Sequence, residues 1–451
     1  MEVLKERKNV RSIRPSKLNF DLTKLLFDIL KSGLFKRTAI YTFSSSFAAL
    51  VSFLLLPILT RYLSQYDYGL IATFAAVTAC LTGIIGVGSN ALLAKQYFGL
   101  EPKERKIYLA NILELIFINS LLILGIFLIF GNFFSSLIKL SKALLLIAVI
   151  VSFASMICTI LLTLFQLEKN AIKYAVISNS QALTNIGLSL FLILVVGLKW
   201  KGRIGGITLT TLLFLVITIL IFKRRKIKLN FSEKYFRELL FLGSPLIVSH
   251  ISGWANNMVD RLMINNLINI EATGLYSVGY KFGMVVMIVE VAFSRAWLPF
   301  FYEKIEENKG IDKLNIVRVT YIVAAGLIIF ALCFGFFGKH LLYFMVDKKF
   351  YTAGQFIFLI AMAYCFDGIR KLFSGYLIYE GKTKMFSSII AFSAGVNVVL
   401  NYVLLKRIGL IGAAWATFIS FAVALILGII AATKYHPMPW FLHKIKIYEK
   451  I

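Results

Sequence analysis

Apolar residues along this chain run in long unbroken stretches, separated by short loops in which Lys and Arg recur on alternate sides. The two-residue alternation of a strand is absent, so each stretch of roughly 20 apolar residues predicts a membrane-spanning helix rather than a barrel strand. The expected spans are 38–61, 70–94, 107–130, 143–165, 172–197, 203–222, 239–266, 273–301, 316–337, 353–378, 385–405 and 409–433. This is the pattern of an all-α polytopic membrane protein of about twelve transmembrane helices, because backbone in hydrocarbon must satisfy its polar groups within each segment.

The polar positions inside the spans repeat. Phe165-Gln-Leu-Glu168 leads into Gln181, Asn185 and Ser189, and Leu377-Ile-Tyr-Glu380 leads into Ser393, Asn397 and Asn401. Arg203-Ile-Gly205 opens the sixth span and Arg407-Ile-Gly409 the twelfth, while Tyr68-Gly-Leu70 and Thr273-Gly-Leu275 follow spans one and seven. Six spans per copy enter the membrane the same way up, which predicts two six-helix lobes related by a pseudo-twofold axis along the membrane normal, with a cavity between them. The expected organisation is a basic N-terminal segment (1–37), an N-terminal lobe (38–222), a basic linker (223–238), a C-terminal lobe (239–433) and a basic tail (434–451).

Composition agrees with a bilayer: 59% of residues are hydrophobic and the mean hydropathy is +0.81. The net charge of +27 would suggest nucleic acid in a water-soluble protein. Here it has a topological explanation, since an N-terminus inside places roughly 33 Lys and Arg on cytoplasmic segments against about 11 outside. Both termini are then cytoplasmic in the cytoplasmic membrane, and the basic clusters Lys5 to Arg14 and Lys223 to Lys228 meet anionic lipid headgroups. Leu18, Leu22, Leu25, Leu26 and Leu30 mix with Lys17, Lys24 and Asp28 either in an interfacial amphipathic helix or in a plain lead-in. The first apolar run has a basic flank and no small-residue cleavage pattern, so it is expected to stay as the first helix. Cys80, Cys158, Cys333 and Cys365 lack metal or redox spacing and read as packing residues.

Ionisable side chains at membrane depth are costly and mark interiors or water-filled paths. Ser249, Ser252, Asn256 and Asp260 share one face of span seven, a stripe expected to line a wet cavity. Asp260 and Arg261 point about 100° apart, so each is expected to need a partner elsewhere, either an interhelix bridge such as Asp260 with Lys281 or a functional ligand. Span eight adds Lys281, Glu290 and Arg295, and span ten adds Asp367, Arg370 and Lys371. The last three read either as a local pair at i,i+3 and i,i+4 or as substrate and coupling groups. His250 reads as a hydrogen-bonded core residue. No metal, cofactor or nucleophile-base constellation is apparent.

Several stretches resemble one family. Ser52-Phe-Leu-Leu-Leu-Pro57-Ile-Leu-Thr60-Arg61-Tyr62-Leu63-Ser64 with Tyr68-Gly69-Leu70 is similar to the first-helix signature of polysaccharide exporters. Asp260-Arg261, Gly274-Leu-Tyr276, Pro299, Glu380-Gly381 and Gly409-Leu-Ile-Gly412-Ala-Ala-Trp415-Ala-Thr417 extend the likeness over nearly all of residues 30–435. The chain thus resembles the oligosaccharide-lipid flippases, of O-antigen flippase type, in the multidrug/oligosaccharidyl-lipid/polysaccharide exporter superfamily. The resemblance implies no enzyme activity and no cofactor. It implies alternating-access transport of undecaprenyl-diphosphate-linked oligosaccharide for surface polysaccharide synthesis, with H+ or Na+ as coupling ion and polysaccharide polymerases as partners.

In that reading Arg261, Lys281 and Arg295, then Arg370 and Lys371, meet the diphosphate. Asn185, Asn256 and Asn397 line the glycan cavity, and Asp260, Glu290 and Asp367 act as coupling or structural acids. A multidrug antiporter of the same superfamily is the nearest rival, disfavoured by a first span without an acidic residue. A lipid II flippase is a second, expected to carry two further spans. A membrane glycan polymerase or ligase would need an outer loop longer than the roughly 15–20 residues expected here.

Overall fold

The computed structural model describes residues 41, 43, 44, 47, 50–227, 230–306 and 310–440. The basic N-terminal segment, with its amphipathic stretch, and the end of the tail lie outside the described residues. Every predicted span carries helix. In chain order the helices are α1 (Leu56–Tyr62), α2 (Gln65–Gly86), α3 (Ser89–Gln96), α4 (Pro102–Ile138), α5 (Lys142–Leu167), α6 (Ala171–Leu190), α7 (Lys199–Arg224) and α8 (Glu233–Leu267). They continue with α9 (Ile270–Gly283), α10 (Val285–Glu306), α11 (Gly310–Met345), α12 (Gly354–Tyr379), α13 (Thr383–Ile408) and α14 (Ile411–Tyr435), and no strand occurs among the described residues.

Eight of these helices are long and apolar enough to cross a membrane unaided, and α9 with α10 forms a ninth span bent by 41°. Two others, α8 and α12, fall short of that apolarity: α8 carries the polar stripe, and α12 holds Asp367, Arg370 and Lys371 within one span length. Large apolar side chains such as Ile129 on α4, Val216 on α7 and Phe344 on α11 face outward, an arrangement suited to lipid rather than water.

Local chemistry explains the breaks. Pro57 has no N–H for the carbonyl one turn back, and the first span is interrupted at Leu55 before α1 resumes. Pro245 leaves α8 as one continuous helix of 35 residues. Ser64 and Asp67 form a capping box that starts α2, with Ser64 N 2.8 Å from Asp67 Oδ2. The predicted span 70–94 is two helices, because Val87 and Gly88 take left-handed conformations between α2 and α3.

Buried apolar side chains form two large clusters. One draws on residues 70–239, the other mainly on residues 264–440 together with Leu55, Leu56, Leu59, Leu63 and Tyr68. The two halves meet along α2, which packs against α8 and α9. At one end of the bundle the approach is very close: a Cβ on Gly274 would lie 1.9 Å from the Gln65 carbonyl oxygen, and one on Gly69 1.9 Å from the Ile270 oxygen. Lys139 Nζ donates to the Asn265 carbonyl at 2.9 Å, and Asn266 Nδ2 donates to the Leu137 carbonyl at 2.8 Å, closing the same end. At the opposite end of α8, Gln96 Nε2 donates to Glu238 Oε1 at 2.6 Å.

Only glycine permits this backbone contact between α2 and α9. Gly274→Val is expected to push the two helices apart while leaving each half folded. Spin labels on the exposed Tyr66 and Phe344 positions should then report longer distances, and an unchanged distribution would contradict this role for Gly274.

Candidate functional site

The polar face of α8 meets α9 and α12 in a dense network. Arg261 Nη1 lies 2.8 Å from Asp260 Oδ1, and the same oxygen accepts the Arg261 backbone N–H at 2.9 Å. Tyr276 OH donates to Asp260 Oδ2 at 2.7 Å. The guanidinium also donates to the Asn257 carbonyl and lies 3.9 Å from the centre of the Tyr280 ring. Tyr280 OH is 2.8 Å from Tyr364 OH, which donates to Asn257 Oδ1 at 3.2 Å.

This corrects the expectation that Asp260 and Arg261 cannot pair. The two Cβ atoms do point apart, yet the long Arg stem folds back until its head reaches the neighbouring carboxylate. Asp260 is not bridged to Lys281. Both members of the pair are buried, at 2% and 5% exposure, so the guanidinium is held inside the protein.

Lys281, two turns and more along α9, is different. Its Nζ lies 5.5 Å from the centre of the Tyr68 ring on α2, and among the described residues no carboxylate stands within ion-pair distance. It stands within electrostatic reach of Arg261 and of Arg203 on α7. Arg203 donates to Asn185 Oδ1 at 2.7 Å and to Ser189 Oγ at 2.6 Å, both on α6, and likewise has no carboxylate partner among the described residues. One cation from each half of the chain thus comes within electrostatic reach of Tyr68 and of the other, with Asn185 holding Arg203.

Sequence reasoning missed Arg203. It was visible as the opening residue of a duplicated motif, but a span drawn from 203 puts it at the membrane edge. The helix begins at Lys199, a full turn earlier, which carries Arg203 inward.

The stripe on α8 is only partly a cavity wall. Ser249 and His250 line a cavity of about 340 Å³ with Thr82, Ser89, Asn90 and Thr159. His250 is therefore exposed on the cavity wall rather than buried in a core, with Nε2 3.3 Å from the Ala79 carbonyl. Ser252, Asn256 and Asp260 are packed among helices instead of facing water. Asn256 Nδ2 donates to the Ile390 carbonyl at 3.2 Å and Oδ1 accepts from Ser393 Oγ at 3.2 Å. Asn397 Nδ2 donates to Ser420 Oγ at 3.1 Å, and Asn401 Nδ2 donates to Asn397 Oδ1 at 3.0 Å. Asn256 and Asn397 thus sit within an α8–α13–α14 seam, because in hydrocarbon a polar side chain finds partners on neighbouring helices.

A second charged group joins α10 and α12. Lys371 Nζ lies 2.9 Å from Glu290 Oε2 and 2.8 Å from Asp367 Oδ2, while Arg370 Nη2 lies 2.6 Å from Asp367 Oδ1. The local i,i+3 and i,i+4 pairs are present, and Glu290, at 1% exposure, is the added interhelix partner. These two cations are neutralised by two carboxylates, unlike Lys281 and Arg203. The side chain of Arg295 lies outside the described residues. The four cysteines are free, and no group of three metal-ligating side chains occurs among the described residues.

Known proteins share this architecture. A lipid II flippase, MurJ, in an inward closed conformation superposes with a TM-score of 0.71 at 16% identity, covering 88% of this chain and 87% of that one. An inward-facing multidrug resistance MATE family transporter of the MOP superfamily gives a TM-score of 0.65 at 15% identity, covering 88% and 94%. A protein of the Lsg locus of Haemophilus influenzae is 22% identical over 368 residues, covering 78% of this chain and 86% of the relative. The MatE pattern matches residues 245–403, and the polysaccharide biosynthesis protein pattern matches residues 34–304, more than half of the chain. The chain is a multi-pass membrane protein of the polysaccharide biosynthesis protein family, within the superfamily of flippases and exporters that also holds the MATE transporters.

Proposed function

We propose that this transporter moves an undecaprenyl-diphosphate-linked oligosaccharide across the cytoplasmic membrane for surface polysaccharide synthesis. The observation that carries the reading is the pair of cations, Arg203 and Lys281, that converge from the two halves without a carboxylate to neutralise them. Such a pair favours an anion, and a diphosphate supplies two adjacent phosphate groups for it. An organic cation would be repelled at the same place. The glycan headgroup needs a polar path while the polyprenyl chain stays in lipid, because sugars and phosphates do not enter hydrocarbon unaided.

In this reading the lobes are residues 38–222 and 239–433, and rocking one against the other exposes Lys281 to either side. The termini and the linker 223–238 face the cytoplasm, so the glycine-tight end at Gly69 and Gly274 is the outer one. Arg261 holds the site's shape and contributes its field, with Asp260 as its structural acid. Arg370, Lys371, Glu290 and Asp367 form a reserve charge group that a moving headgroup or a coupling H+ or Na+ reorganises. A polysaccharide polymerase takes the delivered product.

The test is uptake in proteoliposomes under imposed proton and sodium gradients, comparing a labelled polyprenyl-diphosphate glycan with an organic cation. Gradient-dependent movement of the glycan lipid alone is expected. Transport of the organic cation without the glycan lipid would overturn the proposal in favour of an antiporter.

A further inference from the structure

A groove at the end of the first half has a chemistry that the transport site does not use. It lies between the end of α5, the start of α6 and the end of α7, and its volume is about 430 Å³. Phe165, Ile172, Val176 and Ile221 give it an apolar wall, with Ile172 and Val176 exposed at 71% and 57%. Lys173, Arg224 and Arg225 line the same groove at the helix ends, one turn outward from Val176 and Ile221.

Arg225 is held in place. Its Nη2 lies 3.0 Å from Glu168 Oε2, its Nη1 pairs with Oε1, and its guanidinium lies 5.3 Å from the centre of the Phe165 ring. Two of the five guanidinium N–H groups go to Glu168, which leaves the others free to donate. On its other side Arg225 lines a second cleft of about 270 Å³ with Arg105 and Lys106. The linings of the two clefts together carry five cations against the single carboxylate of Glu168.

All three helices that form the groove are long and apolar enough to cross a membrane, so these cations stand where hydrocarbon gives way to headgroups. An occupant must be apolar along the wall and anionic at the rim. A free phosphate leaves the wall empty, and a zwitterionic lipid gives the rim no net charge to attract. We propose that the groove is a binding site for an anionic phospholipid, its acyl chain along Val176 and Ile221 and its phosphate among Lys173, Arg224 and Arg225. The bound lipid braces the ends of α5, α6 and α7 against one another at the membrane surface.

The test titrates the purified full-length protein in detergent with phosphatidylglycerol or phosphatidylcholine of matched chains, read by native mass spectrometry. Wild type is expected to bind phosphatidylglycerol at least about tenfold more tightly, and Lys173→Gln with Arg224→Gln to remove that preference. Val176→Trp fills the groove without touching a charge and is expected to weaken phosphatidylglycerol by about tenfold. Ile172→Trp, at the more exposed position, repeats the measurement on a second background. Equal affinity for the two lipids, or unchanged affinity in both tryptophan variants, would overturn the proposal. Displacement of the lipid by inorganic phosphate would do so too, as it would reveal charge attraction alone.

Discussion

Replacing Arg203 and Lys281 together by Ala is expected to lower translocation of a polyprenyl-diphosphate glycan at least about a hundredfold at subsaturating substrate. Each charge-assisted hydrogen bond to phosphate contributes about 1.5–3 kcal/mol, so two lost bonds correspond to roughly two to four orders of magnitude in affinity. The change leaves no carboxylate stranded, since neither cation has an acidic partner among the described residues. Membrane insertion and thermal stability should therefore survive, apart from the two hydrogen bonds that Asn185 and Ser189 lose. Lys281→Arg on its own keeps the charge and should keep most of the transport. Wild-type rates in the double alanine variant, at equal abundance in proteoliposomes, would remove the diphosphate site from this place.

Asp260→Ala should act on the fold itself. It strips a buried guanidinium of its one carboxylate partner among the described residues and leaves Tyr276 OH without its acceptor, at a cost of about 3–5 kcal/mol. The measurement is thermal unfolding in detergent, with a large drop expected against wild type. Asp260→Leu combined with Arg261→Met removes both charges and should recover most of the loss, since an apolar pair of similar volume is often as stable as the ion pair it replaces. A single alanine variant within about 1 kcal/mol of wild type would mean that Arg261 finds another partner and that the pair does not hold α8 to α9. Recovery of stability in the double variant without recovery of transport would separate the structural part of the pair from its field at the site.

The two results bear on different kinds of information in the chain. The spans were legible because apolarity is a property of a local stretch, and in hydrocarbon a long apolar run without the alternation of a barrel strand satisfies its backbone as a helix. The i,i+3 and i,i+4 pairing of Asp367 with Arg370 and Lys371 was legible for the same reason, as helix geometry brings those positions together without help from the rest of the fold. The one boundary that hid a residue was local too: a span started at 203, one turn after the helix begins at Lys199, left Arg203 at the membrane edge.

The partners of single side chains were a different matter. Whether Asn256 faced water or Ser393 depended on how close α13 came, and whether Arg261 stayed free depended on Tyr280 and Tyr364 closing around it from α9 and α12. Glu290 gained Lys371 across 81 residues of chain, and Lys281 drew near Arg203 across a similar separation. Periodicity tells which face of a helix a residue occupies. It carries no record of what stands opposite, because that is set by the packing of helices that the chain itself does not order. The amino acids dictated a bundle of membrane helices with costly charges inside it, and only their assembly determined which of those charges paired with one another and which, among the described residues, stood without a carboxylate.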